Sequence, residues 1–173
     1  MPDRNAFRAM TPWLALIALV TALDQITKDL ALARIAHGER IEVTGFFDLV
    51  LAFNPGAAFS FLAGQAGWQR WFFATLALVV CVWLLALIWR QRHERLSPVA
   101  FSLIVGGAIG NVIDRLVHGA VVDFLSFHAG PHYWPAFNLA DSAITLGVGL
   151  MLFAQFRGKP DPTKSVDNHA NIV

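Results

Sequence analysis

Four long apolar runs divide the chain: Thr11 to Leu32, Trp71 to Trp89, Ser97 to Val117 and Leu139 to Phe156. Each comes close to the roughly 20 mostly apolar residues that a membrane-spanning helix needs. The second run carries no charge at all. Between the first two runs the pattern changes period. Arg40-Ile-Glu-Val-Thr alternates, and Phe46 to Phe53 is largely apolar around the turn at Gly45, which predicts two short strands over about 40–53. Asn54-Pro-Gly-Ala-Ala-Phe-Ser then breaks the pattern as a turn. After Arg157 the chain is polar, with Pro160 and Pro162, which predicts a disordered cytoplasmic tail over 159–173. The expected architecture is an all-α membrane protein. Residues 1–158 form one domain of four transmembrane helices (about 11–32, 71–89, 97–117 and 139–156) with a small extracytoplasmic β-sheet or loop region.

Composition supports this reading. Of 173 residues 56% are hydrophobic and only 14% charged, against about 25% charged in soluble domains. The formal net charge of +1 leaves no nucleic-acid footprint. A single cysteine, Cys81, excludes an internal disulfide. The first run lacks a small-x-small cleavage site and three more runs follow it, so it reads as a retained anchor and not a signal peptide.

Lys and Arg in short flanks set the expected orientation. Arg4 and Arg8 precede the first helix, Arg90, Arg92 and Arg95 join the second to the third, and Arg157, Lys159 and Lys164 follow the fourth. The link from His118 to Asn138 has none. Both termini are therefore expected in the cytoplasm, with the first loop and the Asp123 segment outside. Asp24, Lys28, Asp114, Arg115 and Asp141 then all gather near the outer face. Ionisable groups at a membrane border are costly and mark a functional site by default.

Asp123 and Asp141 are the candidate catalytic pair. Two carboxylates held close share one proton, so one can act as base and the other as acid. Asp141 stands three residues after Asn138, a good N-cap, where the helix dipole favours negative charge. Alone, it also reads as an ordinary helix N-terminal acid, and Asp123 as a surface-loop acid. Asp24 and Lys28 are spaced to pair on one helix face, which could simply make a wet helix end tolerable. Asp114 and Arg115 read similarly as an interfacial anchor. Gly106, Gly107 and Gly110 predict close helix packing. Cys81 lies mid-helix without a nearby histidine, so no thiol nucleophile is expected. His128 and His132 have metal-like spacing but are separated by Gly130 and Pro131 and lack an evident third ligand, so no metal is expected.

Five blocks, taken together, resemble the lipoprotein signal peptidases (type II signal peptidases) of bacteria. They are Asp24-Gln-Ile-Thr-Lys28, Asn54-Pro-Gly-Ala-Ala-Phe-Ser, Gly110-Asn-Val-Ile-Asp-Arg115, Val121-Val-Asp-Phe124 and Phe137-Asn-Leu-Ala-Asp-Ser142. The resemblance implies a four-helix aspartic endopeptidase of the bacterial inner membrane. Such an enzyme cleaves diacylglyceryl-modified prolipoproteins just before the lipidated cysteine. It puts the dyad on Asp123 and Asp141, with Asp24, Lys28, Asn54, Gly56, Asn111, Arg115 and Asn138 supporting the site or the substrate. It implies no cofactor, a monomer, and membrane lipid as a partner. Two other classes stay open on the residues alone: a small channel or transporter subunit, and a non-catalytic membrane scaffold.

Overall fold

The computed structural model describes residues 4–56 and 67–156. Four helices are long and apolar enough to cross a membrane: α1 (Arg4–Arg34), α2 (Trp68–Arg90), α3 (Leu96–Val117) and α4 (Leu139–Phe156). Three agree with the hydropathy reading to within a few residues. α1 is longer at both ends, because the polar flanks of its apolar run continue the helix through Pro12. At about 1.5 Å per residue its length exceeds the ~30 Å hydrocarbon core, so its ends project beyond it.

α3 is the hub of the bundle. It is buried over 67% of its apolar span, the other three helices over 17–22%. Its glycines allow this. A Cβ on Gly107 would stand 2.5 Å from the Ala140 carbonyl oxygen on α4, and one on Gly110 would overlap the Asp24 carboxylate on α1. The close packing expected of these glycines is what the structure has.

At one end of the bundle sits a four-stranded antiparallel sheet in the order β1 (Arg40–Thr44), β2 (Phe47–Asn54), β3 (Val121–Ala129) and β4 (His132–Tyr133). The first two strands match the expectation. β3 and β4 do not: the segment holding Asp123 read as a link, yet it forms a nine-residue strand beside β2. Its run Val121-Val-Asp-Phe-Leu is rich in strand-favouring residues, and Gly119, at φ 77°, turns the chain out of α3 into it. The sheet docks on the helix ends through Leu51, Val122 and Phe124 against Ala31 of α1 and Ile35 just after it. A register shift between Leu49 and Ala52 of β2 sets Ala52 opposite Asp123. Phe46 and Phe53, at the two ends of the apolar run, are 60% and 41% exposed. Phe59, Phe61 and the tail from 159 onward lie outside the described residues.

Candidate active site

The site begins with a reciprocal cap. The Asp141 N–H donates to Asn138 Oδ1 at 2.9 Å, and the Asn138 N–H returns a bond to Asp141 Oδ2 at 3.3 Å. This is a capping box at the start of α4. The structural reading of Asp141 is therefore correct, and it leaves the carboxylate available for more. Its Oδ1 accepts from Asn111 Nδ2 at 2.8 Å, and the residue lines a cavity of about 830 Å³ walled by Trp134, Phe137 and Leu146.

Asp123 faces the same place from β3 and is 2% exposed. Asn138 Nδ2 donates to its Oδ1 at 2.8 Å and Asn54 Nδ2 to its Oδ2 at 3.1 Å. Asn138 thus joins the two aspartates: its carbonyl oxygen takes the Asp141 N–H while its amide nitrogen serves Asp123. Burial pushes the Asp123 carboxyl up to about 7, and the neighbouring Asp141 charge adds to this. The bonds from Asn54 and Asn138, and the positive charge of Lys28, oppose the shift. An acid held near neutrality is suited to keeping and giving a proton.

Beneath the pair lies a buried charge cluster. Lys28, 2% exposed, spends its three N–H donors on Asp24 Oδ2 at 2.8 Å, Asp114 Oδ2 at 2.8 Å and Asn111 Oδ1 at 2.9 Å. Asp24 also accepts the Ala140 N–H at 2.9 Å. Asp114 accepts the Val122 N–H at 3.0 Å and Gln25 Nε2 at 3.0 Å. Two carboxylates around one ammonium therefore fasten α1 and α3 to α4 and β3. The expected pairing of Asp24 with Lys28 is present as one side of this larger cluster. The anchor reading of Asp114 is corrected: it is 2% exposed and internal, because α3 turns that face toward α1 and β3. Gln25 was passed over in the sequence, where its only signal was a polar residue beside Asp24 in an apolar run.

Arg115 is half-buried, donates from Nη1 to the Asn111 carbonyl at 3.0 Å and lies 5.5 Å above the Phe73 ring. Gly56 acts through its neighbour: its N–H donates to Asn54 Oδ1 at 2.9 Å. Its φ of 109° suits glycine, and a Cβ there would stand 2.6 Å from the Phe73 ring. Cys81 is buried in the helix core. His128 stacks on Tyr133 and lies 3.5 Å from Asp48, a buried acid that also pairs with Arg40; its sequence context gave no hint of burial. Among the described residues no three side chains of metal-binding type converge.

The three asparagines share one logic. Each has its carbonyl oxygen committed to a fixed donor: Asn54 to the Gly56 N–H, Asn111 to Lys28, Asn138 to the Asp141 N–H. Each therefore turns its NH₂ to a carboxylate, Asn54 and Asn138 to Asp123, and Asn111 to Asp141. Such a cradle can hold a partly protonated carboxyl pair in place beside an apolar cavity.

Known proteins resemble this chain in sequence and in fold. A family model described as Signal peptidase (SPase) II matches residues 16–157. The lipoprotein signal peptidase of Azoarcus sp. (strain BH72) is 68% identical, covering 94% of this chain and 96% of its own length. That of Cupriavidus taiwanensis is 51% identical, covering 90% and 89%. A bacterial membrane enzyme solved by the in meso method at 2.3 Å resolution superposes with a TM-score of 0.75 at 28% identity, over 95% of both chains. The chain, a multi-pass membrane protein, belongs to the signal peptidase II family.

Proposed function

We propose that this peptidase removes the signal peptide from prolipoproteins, just before the diacylglyceryl cysteine, by aspartic catalysis at Asp123 and Asp141. The observation that carries the mechanism is the Asn138 bridge between a buried carboxyl held near 7 and a second carboxyl open to a cavity. Asp141 is the base. It lies at the N-terminal end of α4, accepts N–H bonds from Asn111 and Asn138, and lines the cavity where a water and the scissile bond can meet it. It takes a proton from water as the water oxygen attacks the scissile carbonyl carbon. Asp123 is the acid and gives its proton to the carbonyl oxygen. The resulting diol collapses, the C–N bond breaks, and the leaving amine takes up a proton from the pair. Asp24, Lys28, Asn54, Gly56, Asn111 and Asn138 hold the two carboxyls, and Arg115 faces substrate. No part of this scheme requires a cofactor.

The Lys and Arg distribution supports an orientation with both termini in the cytoplasm and the sheet at the outer face of the bacterial inner membrane. A lipid-modified precursor presents its scissile bond at that border, with its acyl chains still in lipid. The protein is read as a monomer.

The deciding experiment incubates purified protein with a diacylglyceryl-modified precursor peptide and follows cleavage by mass. Asp123→Asn and Asp141→Asn should each lower turnover by about a hundredfold or more while the protein still inserts and folds. Near-normal turnover in either variant removes that residue from the mechanism. Reporter fusions after Arg92 and Gly130 test orientation, and a periplasm-only reporter active at Arg92 would overturn it.

A further inference from the structure

A second groove, separate from the cavity beside Asp141, runs down the bundle between α2 and α4. Those two helices make little contact with each other, so α3 forms its floor. Ile104 and Ala108 line that floor, Ala77 and Ile144 the walls, and Asn111 and Arg115 the upper end. From Arg115 to Ile104 the groove descends about 16 Å at 1.5 Å per residue. That is close to half of the ~30 Å hydrocarbon core, the depth of one leaflet. Its volume is about 290 Å³. The groove, apolar below Asn111 and Arg115, therefore suits an acyl chain entering from the sheet end.

The chemistry at its upper end points the same way. A diacylglyceryl group has ester carbonyls, which only accept hydrogen bonds, above chains that make none. Arg115 only donates. Among the described residues one of its N–H groups serves the Asn111 carbonyl, and its Nε is a buried donor without a partner. The interior of a helical peptide, whose N–H and C=O groups are already paired, gives such a donor little to bond. Asn111 links the two places: its side chain reaches Asp141 and its backbone carbonyl holds Arg115.

We infer that the groove between α2 and α4 is a subsite for an acyl chain of the diacylglyceryl cysteine, with Arg115 at the ester group, so that the enzyme reads the lipid and its length. This rests on the proposed peptidase reading and deepens it. Seating one chain there sets the depth and direction of the thioether and so places the bond before the cysteine at the dyad, the kind of positioning that lowers a barrier.

The test plugs the groove halfway down. Ala77→Leu and, independently, Ala108→Val narrow it below Arg115, while Val79→Leu on the lipid-facing side of α2, 61% exposed, is the control. Precursor peptides carrying dihexanoyl-, didodecanoyl- or dipalmitoylglyceryl cysteine are compared in bicelles, each variant first checked for normal thermal unfolding. Cleavage is read in the otherwise wild-type protein, and binding in the Asp141→Asn background. The plugged variants should lose about tenfold in kcat/KM and in affinity for the dipalmitoyl peptide, a size expected when a hydrophobic pocket loses a methylene or more of fit. They should keep the dihexanoyl peptide within about twofold, and Val79→Leu should change neither. Equal loss at every chain length, or none at any, overturns the subsite. Chain-length-dependent binding without cleavage by the wild type would instead sink the peptidase reading and leave the subsite standing.

Discussion

Lys28 Nζ lies 2.9 Å from Asn111 Oδ1, and this contact decides which way the Asn111 amide faces. An ammonium only donates, so the oxygen must point to Lys28 and the NH₂ to Asp141, 2.8 Å away. Asn111→Asp keeps the shape and the Lys28 contact but replaces the donor by a second negative group. A charge-assisted hydrogen bond contributes about 1.5–3 kcal/mol, so kcat/KM should fall roughly ten- to hundredfold. Cleavage kinetics at neutral pH, with a thermal melt to show that the fold survives, check this.

The second prediction concerns pH. Asp123 must be protonated to act as acid, and its carboxyl titrates at about 7 instead of 3.8. Activity should therefore fall as pH rises through about 7. Asn54→Ala removes a bond that favours the ionised form, so the falling limb should move to higher pH, with lower activity throughout. Stability follows the same sign. A carboxyl whose folded value is raised contributes stability that is complete below 3.8 and is lost as pH climbs through about 7. Asp123→Asn removes that cost, so its melting temperature should exceed the wild type's by more at pH 8 than at pH 5. A pH-independent difference would refute the assignment.

Exchanging Asp24 and Lys28 in a double variant should not restore function. Lys28 stands between Asp24 and Asp114, and Asp24 also accepts the Ala140 N–H. After the swap a lysine faces that N–H, donor against donor, and the new aspartate faces Asp114. Buried charges left unpaired cost several kcal/mol. A swapped protein with normal cleavage and normal melting would reduce the cluster to a simple ion pair.

Gly107→Ala should destabilise by about 1–3 kcal/mol, the usual range for overpacking. Its new Cβ meets a backbone oxygen of α4, which cannot rotate away. Because that oxygen belongs to Ala140, the residue before Asp141, activity should fall together with stability. Gly149→Ala, with open space around its Cβ, is the matched control. Denaturation in detergent and cleavage of the lipid-modified peptide measure both effects.

The four helices were legible in the chain because a membrane span is self-contained. Its backbone bonds are internal, so length and apolarity alone announce it. The cap of α4 was legible for the same reason, since Asn138 and Asp141 are three residues apart. Asp123 and Asp141 were singled out by charge at an apolar border and by family resemblance, but nothing local in the chain showed that Asn138 joins them. The strand β3 was missed although Val121-Val-Asp-Phe-Leu favours it, because a strand exists only when a partner is beside it, and β2 lies some seventy residues earlier. Gln25 and Asp114 had no local signature. Their contact with each other spans 89 residues of sequence and closes only when α1 and α3 pack. A charge is tolerable inside such a bundle only when partners surround it, and those partners arrive from elements distant in the chain. Which polar residues lie within reach of one another, and which side of each asparagine faces a carboxylate, was therefore decided by the tertiary structure alone.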